Sequence, residues 1–175
     1  LTIIDNDLPL TGTLEAASLD PNRPPHTGNA YSAGSVISAN GAFVAFTSLA
    51  RSLVTNGNLG LVDNVFLRDV TNHTTKLLSV NTNRIAGGNH SYGPRISADG
   101  RFVAFQSFAP DLVAGDNNSA SDIFLRDAVM DTTRLVSMSQ TGDGPGNSNS
   151  YDPEMTPDGR FIVFGSYSNN LATHD

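Results

Sequence analysis

Apolar residues come in short runs that repeat at long range. Phe43-Val44-Ala45-Phe46, Phe102-Val103-Ala104-Phe105 and Phe161-Ile162-Val163-Phe164 each follow an Asx-Gly pair: Asn40-Gly41, Asp99-Gly100 and Asp158-Gly159. The glycines lie 59 residues apart in both intervals, 41 to 100 and 100 to 159. An Asx-Gly pair between two apolar runs predicts a β-hairpin with a type I′ turn, in which both central residues take positive φ. The runs are apolar at successive positions rather than alternate ones. This predicts strands covered on both faces, and therefore sheets stacked on sheets.

A second block follows each hairpin after a polar loop. It reads Asn64-Val65-Phe66-Leu67-Arg68-Asp69 in one unit and Asp122-Ile123-Phe124-Leu125-Arg126-Asp127 in the next. A short polar connection then leads to Thr75-Lys76-Leu77-Leu78-Ser79-Val80 or Thr133-Arg134-Leu135-Val136-Ser137-Met138. Each full unit thus holds four strands. A repeat of this length with four strands predicts an all-β chain built as a partial β-propeller of four-stranded antiparallel blades. The expected layout is a blade over 31–89, a second over 90–148 and the first half of a third over 149–175. Residues 8–30 read as a Pro-rich linker in which 13–19 stand where the fourth, outer strand of a preceding blade would lie. Propellers close with about 4–8 blades, so the expected partner is the rest of the same chain or further copies that complete the ring.

Composition narrows the function classes. The 175 residues carry a formal net charge of −7 and no Cys. Without cysteine there is neither a disulfide framework nor a thiolate zinc site. The acidic balance argues against nucleic acid as a partner, and no apolar run approaches the length of a transmembrane helix. No serine-hydrolase elbow, zinc-protease helix motif, phosphate-binding loop or dinucleotide fingerprint occurs, so the expectation is a chain that is not an enzyme.

The block Ser97-Ala98-Asp99-Gly100-Arg101-Phe102-Val103-Ala104-Phe105, followed by Asp122-Ile123-Phe124-Leu125-Arg126-Asp127, resembles the TolB-like propeller repeat, a relative of the WD-type repeats. The resemblance covers roughly residues 28 to 175. It implies an exported bacterial protein, extracellular or at the cell surface, acting as a non-catalytic, adhesion-type binding or scaffold module for a protein or glycan. The alternative is the propeller part of a larger secreted hydrolase or lyase whose catalytic residues lie elsewhere. Residues Leu1-Thr2-Ile3-Ile4-Asp5-Asn6-Asp7 resemble the last strand of a Calx-β domain, whose acidic ending contributes calcium ligands. That resemblance implies Asp5 and Asp7 as ligands, with Asn6 in place of a middle acid. The same residues also read as a turn rich in Asx and Pro.

Calcium is the one cofactor that the sequence suggests. The loop Gly115–Asp122 places Asp116, Asn118 and Asp122 at a spacing loosely like that of a calcium loop, without its bidentate Glu. The other reading of this loop is a plain Asx turn. Asp69 and Asp127, after Arg68 and Arg126, read as caps of the turn into the fourth strand. Asp99, Asp158 and Glu154 are the carboxylates that could pair for glycosidase chemistry, although two of them are turn residues of the repeat. His26, His73, His90 and His174 share no metal-binding spacing.

Overall fold

The computed structural model describes residues 16–22, 27–55 and 59–173. The strands are β1 (Ser32–Ile37), β2 (Phe43–Ser48), β3 (Asn64–Asp69), β4 (Thr74–Leu77), β5 (Ser91–Ile96), β6 (Phe102–Ser107), β7 (Asp122–Asp127), β8 (Thr132–Leu135), β9 (Ser150–Met155) and β10 (Ile162–Ser166). They form two four-stranded sheets, β1-β2-β3-β4 and β5-β6-β7-β8, and a two-stranded sheet of β9 and β10. Every pairing is antiparallel between sequence neighbours. The chain is all-β, a partial β-propeller whose sheets are its blades.

The hairpin corners differ from the type I′ expectation. Gly41, Gly100 and Gly159 have φ of 71°, 79° and 70°, but Asn40, Asp99 and Asp158 do not lie at positive φ. Each corner is a right-handed turn closed by one left-handed glycine, the geometry of a longer hairpin loop. The Asx side chain supplies the reason. Its Oδ1 accepts the amide of the residue two further on, at 3.0 Å for Ala42 and Arg101 and 3.1 Å for Arg160. It also accepts the hydroxyl of Ser38, Ser97 or Thr156. That hydroxyl oxygen in turn accepts the amide of Phe43, Phe102 or Phe161. The Asx residue is therefore used for its acceptor and not for its tolerance of left-handed backbone.

The central strands are covered on both faces. β2 and β6 are buried from their second residue to their last, and β3 and β7 are nearly so. Alternate side chains go to different neighbours. Val44, Phe46 and Phe66 pack with Leu53, Leu77 and Ala17, whereas Ala45, Val65 and Leu67 pack with Val103, Phe105 and Phe124 of the next blade. Within each blade one aromatic pair spans β2–β3 or β6–β7. Phe46 stacks on Phe66 with ring centroids 5.7 Å apart, and Phe105 on Phe124 at 6.0 Å.

The blades meet through a repeated contact. A methyl group placed on Gly100 would lie 2.2 Å from Cδ2 of Phe43, and one on Gly159 would lie 2.8 Å from Cδ2 of Phe102. Phe43 and Phe102 thus each rest on the glycine of the following corner. Two hydrogen bonds accompany it: the Ala39 amide donates to Ala98 O at 3.1 Å, and the Ala98 amide donates to Pro157 O at 2.7 Å. Further along the seam, Ser91 N donates to Asp63 O and Ser150 N to Ser121 O. The exits of the blades are also alike. Gly28, Gly87 and Gly146 donate to Ser18, Ser79 and Ser137, so residues 16–19 occupy the place that 77–80 and 135–138 hold later.

Gly41 and Gly100 share a corner geometry but not a neighbour, because a methyl group on Gly41 meets nothing within 4 Å. Gly41→Ala is expected to cost about 1 kcal/mol, the left-handed penalty alone, and Gly100→Ala about 3 kcal/mol because Phe43 must also move. Thermal unfolding of the two variants checks this, and equal losses would contradict a docked Phe43.

Candidate functional site

The loop before β7 brings Asp116, Asn118 and Asp122 together and uses most of their oxygens internally. The Asn118 Oδ1 accepts the Ala120 amide at 2.9 Å, which is an Asx turn. Its Nδ2 donates to Asp122 Oδ2 at 2.8 Å and to Gly146 O at 2.7 Å, tying the loop to the blade exit. Asp122 is fully buried at the start of β7, and its Oδ1 accepts the Ser137 hydroxyl at 2.6 Å. Ser137 Oγ accepts the Ile123 amide, so the carboxylate ends a short relay across the outer edge of the blade.

The first blade shows what this relay requires. Asn64 occupies the same place, its Oδ1 accepts the Ser79 hydroxyl at 3.0 Å, and Ser79 Oγ accepts the Val65 amide. A neutral acceptor suffices there. In the second blade burial raises the Asp122 pKa, while the Ser137 and Asn118 hydrogen bonds pull it back. Burial and then the charge of Asp122 push half-buried Asp116 up to about 6. The charge of Asp122 is thus a cost to Asp116. Among the described residues no three His, Asp or Glu side chains converge as a metal site. Calcium at Asp116, Asn118 and Asp122 is therefore a proposal that draws most of the ion's about six to eight oxygens from backbone carbonyls and water. Asp5 and Asp7, the other calcium candidates, lie outside the described residues, as does the whole segment 1–7.

The remaining acids have structural partners. Asp99 and Asp158 are the corner acceptors described above, and those hydrogen bonds lower both pKa values. Glu154 meets Arg95 of the preceding blade at 2.8 Å. None of the three is poised to hold a proton for glycosidase chemistry. Asp69 accepts the Asn72 amide, and Asp127 those of Val129 and Met130, capping the turn into the outer strand. Asp127 also takes both Nε and Nη2 of Arg101, at 3.0 and 2.7 Å, and its pKa falls to about 2 chiefly for that reason. Arg126 pairs not with its sequence neighbour Asp127 but with Asp131, five residues further on. The sequence pattern Arg-Asp gave no sign of that exchange, because it depends on the turn after β7. His90 lies against Asp63, with Nδ1 2.9 Å from Oδ2, and His26 and His174 lie outside the described residues.

No family model matches the chain, and no curated protein matches it. Among solved structures it is similar to TolB from Acinetobacter baumannii, with 17% identity and a TM-score of 0.48 over 86% of this chain and 28% of that one. It is also similar to a structure assigned to TolB from Agrobacterium tumefaciens, with 17% identity and a TM-score of 0.44 over 79% of this chain and 55% of that one. The chain spans under a third of the first protein and about half of the second.

Folded Asp116 keeps its proton to about pH 6, whereas an ordinary Asp carboxyl in water releases it near 3.8. The folded chain therefore binds more protons between these values. The group's stabilisation is full below the lower value and is lost as pH rises through the upper one. Asp116→Asn should raise stability at neutral pH by about 1 kcal/mol after allowance for solvent screening, and should leave it unchanged in acid. Denaturant melts at the two pH values check this; a loss at neutral pH would contradict the repulsion between the acids. A bound cation would relieve the same repulsion. The calcium proposal thus predicts that a chelator lowers the thermal midpoint, and an unmoved midpoint removes it.

Proposed function

We propose that the chain is a non-catalytic, protein-binding part of an exported β-propeller, and that the open face of its last sheet is where a further polypeptide docks. The reading rests on one observation. Phe43 and Phe102 are covered by the corner of the next blade, whereas the equivalent Phe161 is 62% exposed and its neighbour Val163 is 66% exposed. The same face that forms the two internal seams is presented to solvent, with its aromatic knob in place. An exposed apolar patch of this kind marks an interaction surface. Its apolar character favours a protein sheet over a glycan. The repeated acids and hydroxyls are engaged in corners and relays, which favours binding over catalysis. An exported location agrees with loops rich in Asn, Ser, Thr and Gly, and with the resemblance of the repeat to that of TolB-like propellers.

For the 175-residue chain the available occupant is a second copy. Sedimentation velocity is expected to show association that grows with concentration, and Phe161→Asp should return the chain to a monomer of unchanged fold. A wild-type chain that stays monomeric at every concentration, with Phe161→Asp indistinguishable from it, would contradict the proposed docking face.

A further inference from the structure

β2 lies between β1 and β3, and β6 lies in the same way between β5 and β7, whereas β10 is bonded to β9 alone among the described strands. The ladder to β9 uses every second residue of β10: Thr156 N donates to Phe161 O, and Tyr167 N to Asn149 O. Alternation then points the amides and carbonyls of Ile162 and Phe164 away from β9, toward a side where no described strand meets them. A row of backbone groups without a ladder is a template for the addition of another strand.

Two side-chain features along that edge show what the added strand must carry. In the second blade Phe105 and Phe124 stand opposite each other and stack, and Leu67 of the preceding blade belongs to the same cluster. The counterparts of Phe105 and Leu67 at the last sheet are Phe164 and Leu125. Phe105 and Leu67 are buried, but Phe164 and Leu125 are only half-buried. A ring placed as Phe124 is placed would cover both. The second feature is a charge. Arg101 lies over Phe102, 4.7 Å from the ring centroid, and its Nε and Nη2 hold Asp127 of the adjacent strand at 3.0 and 2.7 Å. Arg160 lies over Phe161 in the same way, at 5.5 Å, and makes no salt bridge among the described residues.

We infer that the open edge of β10 is a strand-addition site for an extended polypeptide segment of the pattern Phe-x-x-Asp. The segment lies antiparallel to β10, with its Phe opposite Phe164 and its Asp opposite Phe161, where Arg160 receives the carboxylate. This register is that of β6 and β7, in which Phe105 faces Phe124 and Phe102 faces Asp127. The ladder supplies affinity, and the Phe and Asp supply register and specificity. A folded second copy has no such strand to lend, because β3 and β7 are each flanked on both sides within their own sheets. The inference rests on the binding-module reading, but it concerns the edge of the last sheet, whereas that reading places a second copy on its face.

The probe is an end-blocked peptide with the sequence of residues 121–128, carrying a fluorophore, titrated with the chain and followed by anisotropy. Saturable binding is expected, and Phe124→Ser in the peptide should weaken it at least about tenfold. Arg160 is exposed, so Arg160→Gln leaves the fold alone. That variant, or Asp127→Asn in the peptide, should each weaken binding about fivefold, and the two together no more than either alone, since they remove the two ends of one contact. Ala128 N donates to Arg101 O, so alternation turns the Phe124 amide toward β6 and the Leu125 amide away. N-methylation of the peptide at Phe124 should therefore abolish binding, and N-methylation at Leu125 should retain it. Absence of binding, equal losses from the two N-methyl groups, or additive losses from Arg160→Gln and Asp127→Asn would each overturn the assignment. Sedimentation of the same chain reads the face separately. Peptide binding by a chain that stays monomeric would uphold the edge without the face, and self-association without peptide binding would overturn the edge alone.

Discussion

Each blade of this chain sets an aromatic ring where its neighbour has no side chain. Phe43 occupies the space above Gly100, and Phe102 that above Gly159. The glycine is required twice, once because it closes a corner in left-handed backbone and once because any Cβ would collide with the ring. The contact works only if the corner is held in one shape. The Ser or Thr hydroxyl and the Asx carboxylate or amide do this, bridging the corner in all three copies. The stacking of blades, the burial of β2 and β6 on both faces and the exposure of Phe161 follow from that single arrangement.

The same arrangement explains why so much apparent chemistry is structural. A propeller built from short strands leaves many blade edges and turns whose backbone amides need acceptors. Asp99, Asp158, Asp69 and Asp127 accept such amides directly, whereas Asp122 holds the Ser137 hydroxyl that accepts one, as Asn64 holds Ser79 in the other blade. Charge at Asp122 is therefore an addition to its structural duty, and its cost appears in Asp116. What the repeat does not consume is concentrated at the open face around Phe161.

The fold was legible because apolar runs recurring at a constant interval constrain architecture strongly. Four strands per unit, antiparallel order and two-sided burial could be read from Phe102–Phe105 and Ile123–Leu125. The turn type could not. An Asp-Gly pair reads the same whether the Asp lends its backbone or its Oδ1, and only the Ser or Thr two residues earlier discriminates. The contacts of Asp131 were hidden for a different reason. Asp131 meets Arg84 across 47 residues, and the pairing arises from stacked blades rather than from any spacing along the chain. The Asp5 and Asp7 expectation lies outside the described residues.

The central claim is that the corners of successive blades are locked to one another. It is tested most directly by amide hydrogen exchange at Ala39 and Ala98, which donate to Ala98 O and Pro157 O across the seams. Both lie in turns, where amides bonded only to water exchange rapidly. Locked corners predict exchange as slow as that of the β2 and β6 amides, with both sites opening in the same cooperative step as those strands. Rapid exchange at Ala39 and Ala98, independent of the strands, would show blades that merely touch.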